Sequence, residues 1–353
     1  MNRLLQFEKY AHQRLPKLAR DFYFDGACGE FTLKENESAF QRLKLLPRVL
    51  RGISELTTET SILGVKIAMP ICIAPTACQK MAHLDGEIAT VKAAKRMGTC
   101  MTLSTFSTCS LEEVSKSAPD CLRWFQLYIV SDRHITKDLV LRAKTAGFKA
   151  LVITVDTEVV GIKYASTENQ FTYPQQFGLP NLQDQDGQSP FLNGPYEAAV
   201  TWKDIDWIKS LTDLPIVLKG ILTAQDAREA VKHGVSGIWV SNHGGRQLDT
   251  VPAAIEVLPE IAKAVDNKAE IYVDGGVRYG TDVLKAIALG ARAVFIGRPV
   301  LWGLTYNGED GVCRVLQLLL DEFKVAMKLS GCASISDINH SLVVHQSHFW
   351  SNL

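Results

Sequence analysis

The feature that most restricts the fold is an alternation. Eight short apolar runs, each followed by a segment with helical spacing, are spread from residue 71 to residue 331. The runs are ICIAPTA (71–77), TCMTLST (99–105), LRWFQLYI (122–129), ALVITVD (150–156), PIVLKG (215–220), GIWVSNH (237–243), IYVDGG (271–276) and AVFIGR (293–298). Their length and their content of Val, Ile and Leu suit strands buried on both faces. Ser110 with Glu113 forms a capping box ahead of one helix, and Gly147, Gly234 and Gly331 stand where helices end. Eight such units predict an α/β chain built as a (β/α)8 TIM barrel, with an open doubly wound sheet as the alternative.

The rest of the chain is arranged around that barrel. Residues 1–70 read as a helical preamble, with helices expected over LLQFEKYAHQRL, over PKLARDFYFDG as far as Gly26, and over ENESAFQRLKLLPRVL with an end at Pro47. Residues 71–331 form the barrel and 332–353 a C-terminal tail, all within one expected domain, 1–353. One connection is out of scale. Thr157 to Val200 separates the fourth strand from its helix and is rich in Gln, Asn, Pro and Gly. Loops longer than about 15 residues are uncommon unless they serve a function or are disordered, so a lid over the site and a floppy insertion are both open.

Charge and cysteine content exclude several classes of function. Lysine plus arginine and aspartate plus glutamate are equal at 38 each, which gives no reason to expect nucleic acid or an anionic membrane as partner. No run approaches the roughly 18 apolar residues of a membrane span. The start lacks a signal-peptide core, and the eight cysteines form no C-x-x-C pair. An intracellular, reduced protein is therefore expected. His340, His345 and His348 cluster near the end without cysteines and are expected to be solvated.

In barrels of this kind chemistry collects at the carboxyl ends of the strands. The densest example here is SNHGGRQLD, positions 241–249. It presents His243, able to take a proton near neutral pH, and Arg246, able to hold a carboxylate through two parallel hydrogen bonds. Asp156, at the end of the fourth strand, could orient His243 and stabilise its imidazolium. Lys219, at the end of the fifth, suits either a Schiff base or a fixed cation beside an anionic cofactor. DGGVRYG (274–280) and IGRPV (296–300) follow the last two strands, where barrels commonly build phosphate sites. Arg278 and Arg298 supply charge there.

Taken together, SNHGGRQLD, LVITVDT, LRWFQLY, PICIAPTA, VDGGVRYGTDVLKA and VFIGRPVLWGL resemble the FMN-dependent 2-hydroxy acid oxidases and dehydrogenases, over essentially the whole chain. The glycolate oxidases and long-chain hydroxy acid oxidases are the peroxisomal branch of that family. The resemblance implies FMN as cofactor and a 2-hydroxy acid and O2 as substrates. It implies His243 as catalytic base, Asp156 as its paired carboxylate, Lys219 beside the flavin, and Arg246 and Tyr128 on the substrate. Ala77, Ser104, Gln126, Thr154 and Ser241 would line the isoalloxazine and ribityl chain. Asp274, Gly276, Arg278, Gly297 and Arg298 would form the ribityl and phosphate site. It also implies a homo-oligomer, since members are often tetramers.

Departures from the glycolate-oxidising pattern all lie on the substrate side. Phe22 stands in place of a tyrosine, Phe106 in place of a tryptophan, and Lys163 in place of an arginine, with Glu158 where a proline is usual. The expected activity is therefore that of an (S)-2-hydroxy acid oxidase favouring medium or long chains over glycolate and yielding hydrogen peroxide. A dehydrogenase with another acceptor, a flavin-binding protein without turnover and a Schiff-base aldolase are the alternatives. Ser351-Asn352-Leu353 resembles the peroxisomal S-K-L signal, so the peroxisome is expected, with the cytosol as the alternative.

Overall fold

The computed structural model describes residues 1–173, 175–182 and 199–349. The middle of the long connection, 183–198, and the Ser351-Asn352-Leu353 end lie outside the described residues. The chain begins with helices α1 (Leu4–Arg14), α2 (Lys17–Phe24) and α3 (Phe31–Arg42), then a short strand β1 (Leu43–Leu45) and a hairpin, β2 (Thr60–Ile62) and β3 (Val65–Ile67). The barrel strands follow: β4 (Ile71–Ile73), β5 (Met101–Leu103), β6 (Arg123–Leu127), β7 (Leu151–Thr154), β8 (Ile216–Ile221), β9 (Gly237–Val240), β10 (Glu270–Asp274) and β11 (Ala293–Ile296). They are parallel, and β11 pairs with β4, so the sheet closes. That closure removes the open-sheet alternative.

The helices between the strands are α4 (Gly86–Arg96), α5 (Leu111–Ser117), α6 (Arg133–Thr145), α7 (Tyr164–Glu168), α8 (Trp202–Leu211), α9 (Ala224–Lys232), α10 (Ala254–Val265) and α11 (Gly280–Ala288). The last, α12 (Arg298–Ser330), is broken at Asn307–Gly308, so the expected helix after Gly311 is its second limb. Inside the barrel, Trp124, Trp239, Tyr272 and Phe295 form an aromatic core, and Ile62 and Ile67 of the hairpin pack into the same cluster. Burying rings of this size contributes about 1.5–3 kcal/mol apiece. That plug leaves the carboxyl ends of the strands as the end that can open.

Two expectations need correction. The third helix, expected from Glu35 with an end at Pro47, starts at Phe31 and stops at Arg42. Its early start has a distant cause: Asp249 accepts hydrogen bonds from the backbone N–H groups of Gly29, Phe31 and Thr32, which local sequence cannot supply because Glu30 gives no side-chain cap. Its early end comes from Leu43–Leu45 pairing antiparallel with strand β12 (Val343–His345). The C-terminal segment is therefore anchored, with Leu342 and Val343 buried, while His340, His345 and His348 are exposed as expected. Except for β8, the strands are also shorter than the apolar runs, so most of the chemistry-bearing residues sit in the turns just beyond them.

Candidate active site

A cavity of about 230 Å³ opens at the carboxyl ends of the strands. Ala77, Ser104, Gln126, Thr154, Lys219, Asp274, Gly276, Arg278, Gly297 and Arg298 line it, together with Phe22, Phe106, Tyr128, Lys163, His243 and Arg246. Asp156 and Ser241 lie behind this surface and act through their neighbours.

The floor is a polar row across the barrel. Gln126 Nε2 donates to Thr154 Oγ1 at 3.0 Å, and its Oε1 accepts from the Thr105 amide at 3.2 Å. Lys219 Nζ donates to Ser241 Oγ at 2.9 Å and lies 3.4 Å from Asp274. Ser241 in turn donates to Asp274 at 2.6 Å, and Trp239 Nε1 donates to the other carboxylate oxygen at 3.0 Å. Lys219 is thus a fixed, ion-paired cation, a poor arrangement for the free amine that a Schiff base needs.

The turn after β9 carries His243. His243 has φ 58°, a left-handed backbone that costs energy for a residue with a side chain and that clusters at functional sites. Its amide donates to Ser241 Oγ at 3.0 Å, and its Nδ1 lies 2.9 Å from Asp156 Oδ1. With Nδ1–H donating to the carboxylate, Nε2 is left as the basic nitrogen. Burial pushes the His243 imidazole below its ordinary range; Asp156 opposes that shift and Lys219 reinforces it. Burial alone would raise Asp156, but the charges of His243 and Lys219 outweigh it and hold the carboxyl low. At neutral pH the pair is therefore a carboxylate beside a neutral imidazole.

Arg246 is held from behind. Its Nη1 donates to the Phe22 carbonyl at 2.7 Å and the Asp25 carbonyl at 2.9 Å, and its guanidinium lies 5.2 Å from the Phe22 ring centroid. No bond from Nε or Nη2 to the described residues is formed, so that edge is open to a carboxylate. Arg298 lines the cavity with its guanidinium engaged by main chain. Its three nitrogens donate to the carbonyls of Tyr23, Gly244 and Asp25, tying the end of α2 to the turn after β9. Burial, then Arg246 and Arg278, push it down to about 9. Arg278 bonds Glu37 and stacks over Trp302, while its buried Nε has no partner. Gly297 precedes α12 without a side-chain cap. Gly276 has φ +80°, and a Cβ there would stand 1.8 Å from the Asn36 carbonyl oxygen, so only glycine fits.

The substrate side is aromatic. Phe22 stacks on Phe171 at 4.3 Å and 12°, and Phe106 stacks on Tyr173 at 5.6 Å and 10°. Phe171 and Tyr173 come from the long connection after β7 and were not singled out in the sequence, because a polar, Gly- and Pro-rich loop carries no periodicity that would assign them a direction. The connection is pinned by Asp25, which accepts from the Ser166 amide at 2.9 Å, and by Asn181, which reaches the Leu111 amide and Ser107. Lys163 points away from the role of an open cation: its Nζ donates to the carbonyls of Gly161 and Arg246. Burial and then Arg246 push it down to about 8. Also unforeseen was the buried pair of Asn36 and Asn242, whose amides exchange hydrogen bonds of 2.9 and 2.8 Å and clamp α3 to the turn after β9.

Comparison with known proteins agrees with this geometry. A family model described as FMN-dependent dehydrogenase matches residues 11–345. The 2-hydroxyacid oxidase 1 of Homo sapiens is 50% identical over 350 residues, covering 96% of this chain and 95% of that protein. Glycolate oxidase 3 of Arabidopsis thaliana is 47% identical over 348 residues, covering 96% and 94%. Among solved structures, a mandelate oxidase variant with (S)-mandelic acid superposes with a TM-score of 0.91 at 41% identity, covering 98% of both chains.

Proposed function

The chain belongs to the FMN-dependent dehydrogenase family, and from that premise we propose that it oxidises (S)-2-hydroxy acids of medium to long chain in preference to glycolate, with dioxygen as the acceptor. FMN is its cofactor. The residues present fit that group. The unpartnered Arg278 Nε, the uncapped start of α12 and three neighbouring arginines form a site short of an anion, as a phosphate requires. The polar floor from Ser104 to Lys219 offers donors and acceptors for a flavin edge. FMN, when bound, supplies the acceptor for the two electrons leaving the substrate.

The protein residues do the rest. The substrate carboxylate lies on the open edge of Arg246, with Tyr128 beside it. His243 Nε2 takes the proton released from the hydroxy acid, and Asp156 holds the ring in the right tautomer and stabilises the imidazolium. Lys219 provides a fixed positive charge on the floor. Tyr173 and Phe171 roof the site against water.

The observation that carries the chain-length preference is the aromatic wall of Phe22, Phe106 and Tyr173. Phe22 has no hydroxyl to give the carboxylate, and a charged hydrogen bond contributes about 1.5–3 kcal/mol. Each methylene buried on the wall contributes about 0.8 kcal/mol, so two to four further carbons offset the missing bond. Peroxide release under air, measured with glycolate, 2-hydroxyhexanoate and 2-hydroxyoctanoate, is expected to give the highest kcat/KM to the longer acids. Phe22→Tyr is expected to improve glycolate by about tenfold or more and the longer acids less. A wild type that prefers glycolate, with an unchanged ratio in the variant, would refute the preference. We also propose a peroxisomal location, supported by the likeness of Ser351-Asn352-Leu353 to the S-K-L signal; deleting these residues from a fluorescent fusion should leave it in the cytosol, and unchanged punctate staining would count against that signal.

A further inference from the structure

Among the described residues the cavity has one exposed apolar lip. Among the described residues that line it, Val160 is the only exposed one, at 54% of its surface. Phe22 and Phe106 are closed over by their stacking on Phe171 and Tyr173. A side chain too long for the aromatic wall therefore meets Val160 before it meets water.

Outside Val160 the apolar surface continues. Val159, Ile162 and Leu248 are exposed at 61%, 60% and 72%. Single exposed aliphatics are ordinary, but a contiguous group at the lip of a cavity marks a binding surface. Contiguity follows from how the two loops are bonded. Gln247 Nε2 donates to the carbonyls of Asp156 and Val159 at 3.0 and 2.9 Å, and its Oε1 accepts from the Gly161 amide at 3.2 Å. A Cβ on Gly161 would stand 2.5 Å from the Arg246 carbonyl oxygen, so the loop lies directly on the catalytic turn. Lys163 turns its ammonium down onto the Gly161 and Arg246 carbonyls. The main-chain groups of Asp156, Val159, Gly161 and Arg246 are thus used between the loops by Gln247 and Lys163, and Val159, Ile162 and Leu248 are left exposed, beside the exposed Glu158.

We propose that the alkyl tail of a long-chain 2-hydroxy acid leaves the cavity past Val160 and lies on the ridge formed by Val159, Ile162 and Leu248. The inference rests on the reading of the cavity as a site for 2-hydroxy acids with large apolar side chains. A macromolecular partner seated on the ridge would cover the lip at Val160 and close the cavity, whereas a substrate tail uses the ridge only while the site is filled. A fully buried methylene improves binding about fourfold, and one lying on an open ridge is half covered, so each carbon past Val160 adds about twofold.

The test uses the FMN-loaded enzyme and the double variant Ile162→Ser/Leu248→Ser, both surface positions, with flavin content checked for each. Steady-state kcat/KM is measured with 2-hydroxybutanoate, 2-hydroxyoctanoate and 2-hydroxydodecanoate below their micelle concentrations. The wild type is expected to rise through the series. The variant should match it on butanoate and lose about tenfold on dodecanoate, as expected for three or four methylenes at the ridge value. Ile162→Asp alone should deepen that loss by placing a charge under the tail. If the wild type rises through the series and both variants rise equally, the ridge is overturned and the cavity reading stands. If the wild type falls from butanoate to dodecanoate, the cavity reading fails and the ridge with it.

Discussion

Replacing His243 with glutamine is expected to leave a folded, yellow protein whose kcat with every 2-hydroxy acid is lower by about 10²–10⁴-fold, the contribution of a positioned general base. The flavin should remain, because the groups suited to hold it are Lys219, Arg278 and the turns after β10 and β11, none of which depends on the imidazole. The backbone at His243 is left-handed, at φ 58°, a conformation that costs roughly 1–2 kcal/mol for most side chains. Glutamine inherits that cost without the carboxylate partner that repays it, so a small drop in melting temperature accompanies the loss of rate. Arg246 still has its carbonyl anchors at Phe22 and Asp25, so affinity for the 2-oxo acid product should be nearly unchanged. Wild-type turnover in this variant would remove His243 from the role of base.

The barrel was legible because eight buried strands leave eight apolar runs, and nothing else in the chain competes with that period. The pairing of His243 with Asp156 was legible for a related reason: both stand just beyond parallel strands that lie two apart in the barrel. What the local sequence could not carry is interaction at a distance. Asp249 caps α3 from more than 200 positions away, at |i−j| = 217 for its bond to Thr32. Leu43–Leu45 is held as a strand by residues near the other end of the chain. Phe171 and Tyr173 lie in a segment with no repeating pattern, and their direction is set by the rings of Phe22 and Phe106 that they meet. Arg298 shows that a residue's type does not announce its partner: the charge stands at the cavity, but the guanidinium is engaged by three main-chain carbonyls. Lys163 has the same lesson: it lines the cavity, but its ammonium is engaged by two main-chain carbonyls.

Changing Asp156 to asparagine tests how the pair divides its work. The base is active when neutral, so wild-type kcat/KM should be level through neutral pH and fall as acid protonates His243. Burial pushes that imidazole below its ordinary value of 6.5, which puts the fall on the acid side of 6.5. Asp156 acts against the burial, favouring the charged ring. Removing its charge must therefore move the fall to still lower pH. A lower pKa means a weaker base, and the imidazolium formed on proton transfer loses its counter-charge at 2.9 Å. The level part of the profile should drop by up to about 10⁴-fold, the scale of the same substitution in a Ser-His-Asp triad. Asp156 also has a buried oxygen, Oδ2, with no hydrogen-bond partner, so a carboxamide there loses little structure and the fold should be kept. A role in packing alone predicts the opposite pattern: lower stability with a pH profile left where it was. Measuring kcat/KM against pH for both proteins, with thermal unfolding as the control, separates the two. An acid limb that stays in place or moves to higher pH would show that Asp156 does not set the charge of His243.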